Sequence, residues 1–313
     1  MGPAAISGAI VELAMVACGL ILLFFWWRSL PKKLPRPSPD VRLRDAAPGQ
    51  GGEAGPADPG ALPPWPGTAS DLLLLLLLAL GGGMAVPALL GLALQHARLT
   101  AEVRLVLGAV AFQGGLLSGI AVFHFLWGGA RCPQRAGSAA ESISALGATR
   151  STPPFGQTLR DGGAAFLVSL PLVYGVSLVW QSLLGLSGLP VEKQDVVEMF
   201  MGIQAPGLRV AFILIAAVVA PITEELLFRA GLFRFFRGRA PRWIALLLPA
   251  LLFGGSHLLQ APLASLAVLA PLVMLGVVFS IAYERSGRIT TTMVAHSLFN
   301  LNTIMLVLLG LNT

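Results

Sequence analysis

Apolar and polar residues follow one another along this chain in long blocks. Mostly apolar runs of about 17–25 residues are long enough to cross a bilayer as helices. Such runs lie at approximately 7–27, 71–94, 105–127, 163–186, 210–230, 243–260, 263–283 and 289–310. The pattern predicts an all-α, polytopic membrane helical bundle with about eight transmembrane helices. Between the first two runs lies a Pro/Gly/Ala-rich segment, 31–69, containing PRPSP, GQGGEAGPADPG and LPPWP. That composition buries too little apolar surface to fold and predicts a disordered linker. A second polar loop covers 128–162, and 188–204 is amphipathic enough for an interfacial helix. The expected organisation is a transmembrane helix in 1–30, the linker in 31–69, two further helices and a loop in 70–162, and a C-terminal membrane domain in 163–313.

Composition agrees with this class. The 313 residues are 55% hydrophobic and 12% charged, with mean hydropathy +0.78, whereas soluble domains carry about 25% charged residues. The net charge of +6 does not point to nucleic acid, because the charges cluster in loops between apolar spans. With the N-terminus outside and eight spans, most of the 21 basic residues fall on one side, as the positive-inside rule requires of the cytoplasmic face. Arg98, Arg104, Lys193 and Arg209 are left outside. Cys18 lies in an apolar span and Cys132 in a basic loop, so neither a disulfide nor a metal-type cysteine motif is expected. The first run lacks a basic n-region and carries Glu12, which reads as an uncleaved helix rather than a signal peptide.

The informative residues are the charges inside the spans. Glu224, Glu225 and Arg229 interrupt AFILIAAVVAPITEELLFRAGLF, and each ionised group at membrane depth costs about 2.5–3.5 kcal/mol on insertion scales unless paired or wetted. Glu225 and Arg229 are spaced i,i+4 with the acid first, the better orientation for an ion pair. Glu224 lies about 100° round the helix, free to face a cavity. Pro221 removes a backbone donor just before the pair and predicts a kink that opens space there. Phe253 and His257 in FGGSH, and His296 and Asn300 in HSLFN, are also four apart, so each pair shares a helix face. At 1.5 Å per residue these groups can meet in the middle of a core about 30 Å thick.

A buried carboxylate with a histidine can hold a water and take its proton, and a second histidine with an asparagine amide supplies donors for a developing oxyanion. Glu224, His257, His296 and Asn300 therefore fit hydrolysis of an amide or ester, with no serine or cysteine nucleophile at motif spacing. EELLFR (224–229), FGGSH (253–257) and HSLFN (296–300) resemble the EExxxR, FxxxH and HxxxN motifs of the CAAX protease and bacteriocin-processing (CPBP, or ABI) family. The resemblance covers about 163–310. Ala230 stands where glycine commonly follows the arginine, and Gly231 comes next.

The resemblance implies an intramembrane glutamic endopeptidase. Glu224 and His257 would activate water, His296 and Asn300 would stabilise the oxyanion, and Glu225, Arg229 and Phe253 would support the site. It implies no cofactor, and a membrane-associated protein or peptide substrate, prenylated at its C-terminus in the CaaX-processing relatives. The expected setting is a bacterial inner membrane, with the bilayer as the surrounding partner. Three other readings compete: a zinc metalloprotease using Glu224, His257 and His296, although the HExxH spacing is absent; a transporter with a buried proton relay, although no inverted repeat is visible; and a catalytically silent scaffold or immunity protein. Gln113 and His124 in the third run have no motif partner and read as packing or hydrogen-bonding groups. Arg234, Arg237, Arg239 and Arg242 read as topology and headgroup anchors. Gly81–Gly83 and GGLLSG (114–119) predict close helix packing.

Overall fold

The computed structural model describes Leu62, Trp65 and residues 67–131, 155–188, 200–259 and 266–310. The first apolar run, most of the linker, and the middles of the two polar loops lie outside them. Among the described residues the structure is helical, without strands. The helices are α1 (Ala69–Ala93), α2 (Ala101–Arg131), α3 (Phe155–Leu186), α4 (Pro206–Arg237), α5 (Arg242–Ser256), α6 (Leu266–Ser286) and α7 (Ile289–Leu308). All except α5 are long and apolar enough to cross a membrane by length and composition. The chain is thus a helical integral membrane protein. The 15 residues of α5 extend only about 22 Å, and a 3₁₀ turn at His257–Leu259 ends it.

Several boundaries move from their predicted places. α3 starts at Phe155 rather than 163, and α4 runs from Pro206 to Arg237. The linker also ends earlier than its composition implies. Trp65 is buried, its ring stacked 6.3 Å from that of Phe123, and Leu62 packs beside Ala230, Phe233 and Tyr283. The Arg239 guanidinium donates to the Gly67 carbonyl at 2.7 Å. Thr68 and Asp71 then form a capping box that starts α1. Proline composition pointed to disorder here; a single tryptophan with a cavity to fill overrides it, because an aromatic side chain buries 150–250 Å² or so.

α1 and α2 pack through glycines, as predicted. A Cβ on Gly115 would lie 2.1 Å from the Gly82 carbonyl oxygen, and one on Gly119 would lie 2.0 Å from that of Leu78. Backbones this close leave no room for any side chain. Gly119→Val will therefore cost about 3 kcal/mol, the upper end for overpacking, read as a lowered unfolding temperature in detergent. Gly81→Ala meets nothing within 4 Å and will be tolerated.

One end of the bundle gathers the charges. Glu284 on α6 pairs with Arg237 at the end of α4 (2.6 Å) and with Arg242 at the start of α5 (2.7 Å). Arg288 before α7 pairs with Asp161 in α3 at 2.8 Å. This is the end that the positive-inside pattern assigns to the cytoplasm. The arginines read as anchors thus also lock helix ends together. At the opposite end, Glu102 accepts from the Ala205 amide (3.1 Å) and Trp180 Nε1 donates to the Leu266 carbonyl (2.8 Å).

Candidate active site

α4 is a broken helix, and the breaks frame the glutamates. π-helical turns occupy Ile215–Val219 and Leu226–Phe233, with one short α-helical stretch, Ala220–Glu225, between them. Pro221 gives a local reason for the first. It has no N–H, and its ring would clash with the carbonyl four residues back, that of Ala217. Widening the turn relieves that clash. Wide turns free backbone carbonyls and recur at functional sites. Here the Ala216 carbonyl accepts from Asn300 Nδ2 of α7 at 2.8 Å.

Glu225 and Arg229 form the predicted pair, 2.9 Å apart and both fully buried. Arg229 is further held by the rings of Phe253 and Phe279, whose centroids lie 4.7 and 5.5 Å from its guanidinium carbon. Its Nη2 points at the Gly276 carbonyl at 3.4 Å. A buried charge pair of this kind is tolerable only with such additional partners.

His296 joins the two acids. Its Nδ1 is 2.9 Å from Glu225 Oε1 and its Nε2 is 3.6 Å from Glu224 Oε2. An ionised carboxylate can only accept, so the Nδ1 carries hydrogen and donates to Glu225. That bond fixes the ring and turns Nε2 toward Glu224. The Glu224 side chain keeps 22% of its surface exposed while that of Glu225 has none. The two acids therefore differ as their spacing predicted: one is locked and one is reachable.

The structure brings most of the predicted residues together. Phe253 is the hub, with its ring edge-on to His257 and His296 at centroid distances of 5.3 and 5.9 Å. His257 Nδ1 lies 2.9 Å from the Phe253 carbonyl, which can only accept, so its Nε2 is the nitrogen left for other partners. The imidazole in contact with Glu224 is that of His296, not that of His257. Asn300 spends one N–H on Ala216, and its amide nitrogen retains a second.

Two contacts were not anticipated. Thr223, next to Glu224, is hydrogen-bonded to Gln113 of α2 at 2.6 Å, and Phe279 of α6 packs against His296 with centroids 5.4 Å apart. Gln113 was visible in the sequence as a polar group in an apolar span; its partner lies 110 positions away and has no motif. Among the described residues, no group of three or more His, Cys, Asp or Glu side chains is arranged to hold a metal ion.

Residues 206–302, spanning α4 to most of α7, match the family model described as type II CAAX prenyl endopeptidase, Rce1-like. An uncharacterized 24.3 kDa protein of Escherichia coli is 32% identical over 148 residues, which cover 46% of this chain and 64% of that relative. No solved structure matches the chain.

Proposed function

We propose, from the match of residues 206–302 to the Rce1-like family model, that this protein is an intramembrane endopeptidase. It hydrolyses a peptide bond in a membrane-associated protein or peptide with a carboxylate-activated water. The observation that carries this reading is the asymmetry of the two glutamates. Glu225 is consumed by Arg229 and His296, while the Glu224 side chain stays partly exposed beside an imidazole nitrogen.

The chemistry follows from the donors present. Glu224 takes the proton of a water that His257 Nε2 helps to orient, and the hydroxide adds to the scissile carbonyl. The tetrahedral oxyanion is met by the remaining Asn300 N–H and, when His296 is protonated on both nitrogens, by its Nε2–H. Glu224 then returns the proton to the leaving amine. Glu225 and Arg229 hold His296 and the α4 turn in register. No metal enters this route.

The family match favours a substrate that presents a prenylated C-terminus at the membrane, and the Escherichia coli relative favours a bacterial inner membrane. The test is purified protein in liposomes given farnesylated CaaX-type peptides and their unprenylated counterparts, with products read by mass spectrometry. We expect cleavage of the prenylated peptides that persists in EDTA. Cleavage of neither set overturns the peptidase reading. Activity lost to EDTA and restored by zinc alone replaces the glutamic mechanism with a metal one.

A further inference from the structure

We infer that Gln113, which lies in α2 and outside the segment matched to the family, is a positioning residue for Glu224. The inference rests on the proposed role of Glu224 as base. Among the described residues Glu224 has no hydrogen bond of its own; the polar group nearest it there, His296 Nε2, is at 3.6 Å. Its place is therefore set by the backbone turn that carries it. That turn, Ala220–Glu225, is one and a half turns or so of α-helix between two π-helical stretches. Wide turns on both sides leave its rotation about the helix axis weakly determined by α4 alone.

Among the described residues, contacts from other helices hold the broken segment. Asn300 holds Ala216 below the turn, and His296 holds Glu225 at its end. Gln113 holds Thr223, the residue immediately before Glu224. Thr223 is fully buried and Gln113 nearly so, so water cannot replace either partner without entering the bundle.

The choice of an amide is explained by the Thr223 hydroxyl. Its oxygen is 2.8 Å from the Ala220 carbonyl and 2.6 Å from the Gln113 amide, yet it has a single hydrogen. When that hydrogen goes to Gln113, the amide oxygen accepts it. When it goes to Ala220, the amide rotates and its NH₂ donates to the hydroxyl. A glutamine satisfies both states. A carboxylate satisfies only the first, and an apolar residue neither.

The experiment separates positioning from stability and from the peptidase reading. Gln113→Leu, Thr223→Val and Thr223→Ser are compared with wild type in liposomes. Labelling of Glu224 by dicyclohexylcarbodiimide, an apolar carboxyl reagent, is measured by mass spectrometry alongside cleavage of the farnesylated peptide. Labelling needs no turnover, so it reads the carboxylate even if the peptide is not cleaved. Gln113→Leu and Thr223→Val will each label Glu224 about fivefold faster, the Boltzmann weight of one net hydrogen bond, while Thr223→Ser labels like wild type. Where cleavage is seen, kcat falls about 10- to 100-fold in the first two, the scale of a misplaced catalytic group, with KM unchanged. The double variant will be no worse than either single one. Wild-type labelling of Glu224 in Gln113→Leu, or losses that track the unfolding temperature and are shared by Thr223→Ser, overturns the inference.

Discussion

Replacing Glu224 by glutamine will abolish cleavage and leave the protein folded. A general base contributes about 10²–10⁴-fold, and here the same carboxylate also holds the water, so the loss will lie at the upper end of that range or beyond. Stability is not at risk for a structural reason. The Glu224 side chain is partly exposed, it makes no hydrogen bond among the described residues, and glutamine has its shape. The unfolding temperature of Glu224→Gln in detergent will therefore match that of wild type within about 2 °C, since only a weak surface-type interaction is lost. Residual cleavage within tenfold of wild type removes Glu224 from the mechanism. His257→Ala and Asn300→Ala will give smaller losses, because each supplies one hydrogen bond to the water or the oxyanion, and a single oxyanion donor accounts for about 10²–10³-fold. That ordering, with Glu224 first, distinguishes a carboxylate base from a site in which a histidine leads.

The helical membrane class and the separation of the two glutamates were legible in the sequence because both depend on local periodicity, whereas the run at 243–260 forms a 15-residue helix shorter than the other spans. Apolar runs report burial in lipid directly, and i,i+4 spacing on a helix places Glu225 over Arg229 whatever surrounds them. The pairing of His296 with Glu225 was not legible. It depends on how α7 is rotated against α4, and on two π-helical stretches that break the 3.6-residue period between Ile215 and Phe233. Through that region the side-chain faces depart from those of an ideal helix by tens of degrees or so. Trp65 is a miss of the other sort. Its neighbours are prolines, and the property that decides its fate, an aromatic surface formed by Phe123 and Trp127, belongs to α2. The same limit applies to Gln113, whose polarity was plain and whose partner was not.

The buried pair gives the sharpest separation of fold from function. Glu225→Leu alone leaves Arg229 charged and fully buried without the carboxylate it pairs with, and breaking a buried pair from one side costs about 3–5 kcal/mol. Arg229→Met alone leaves Glu225 buried without its guanidinium partner. Either single variant will be expressed poorly and unfold at least about 10 °C earlier, the shift expected for several kcal/mol. The double variant Glu225→Leu/Arg229→Met removes both charges together, and apolar replacement of a whole buried pair is often neutral or stabilising by about 1–4 kcal/mol. It will therefore recover most of the lost unfolding temperature, and the phenylalanines that flank Arg229 will pack on the methionine thioether instead. Cleavage will not recover with it. Without the Glu225 carboxylate, His296 Nδ1 has no acceptor to fix its tautomer or ring angle, and Nε2 is no longer held toward Glu224. Unfolding temperature and turnover measured on the four proteins of this cycle will thus move independently. A double variant that regains both shows Glu225 and Arg229 to be structural alone. One that regains neither shows that the pair contributes net stability beyond what an apolar core of the same shape supplies.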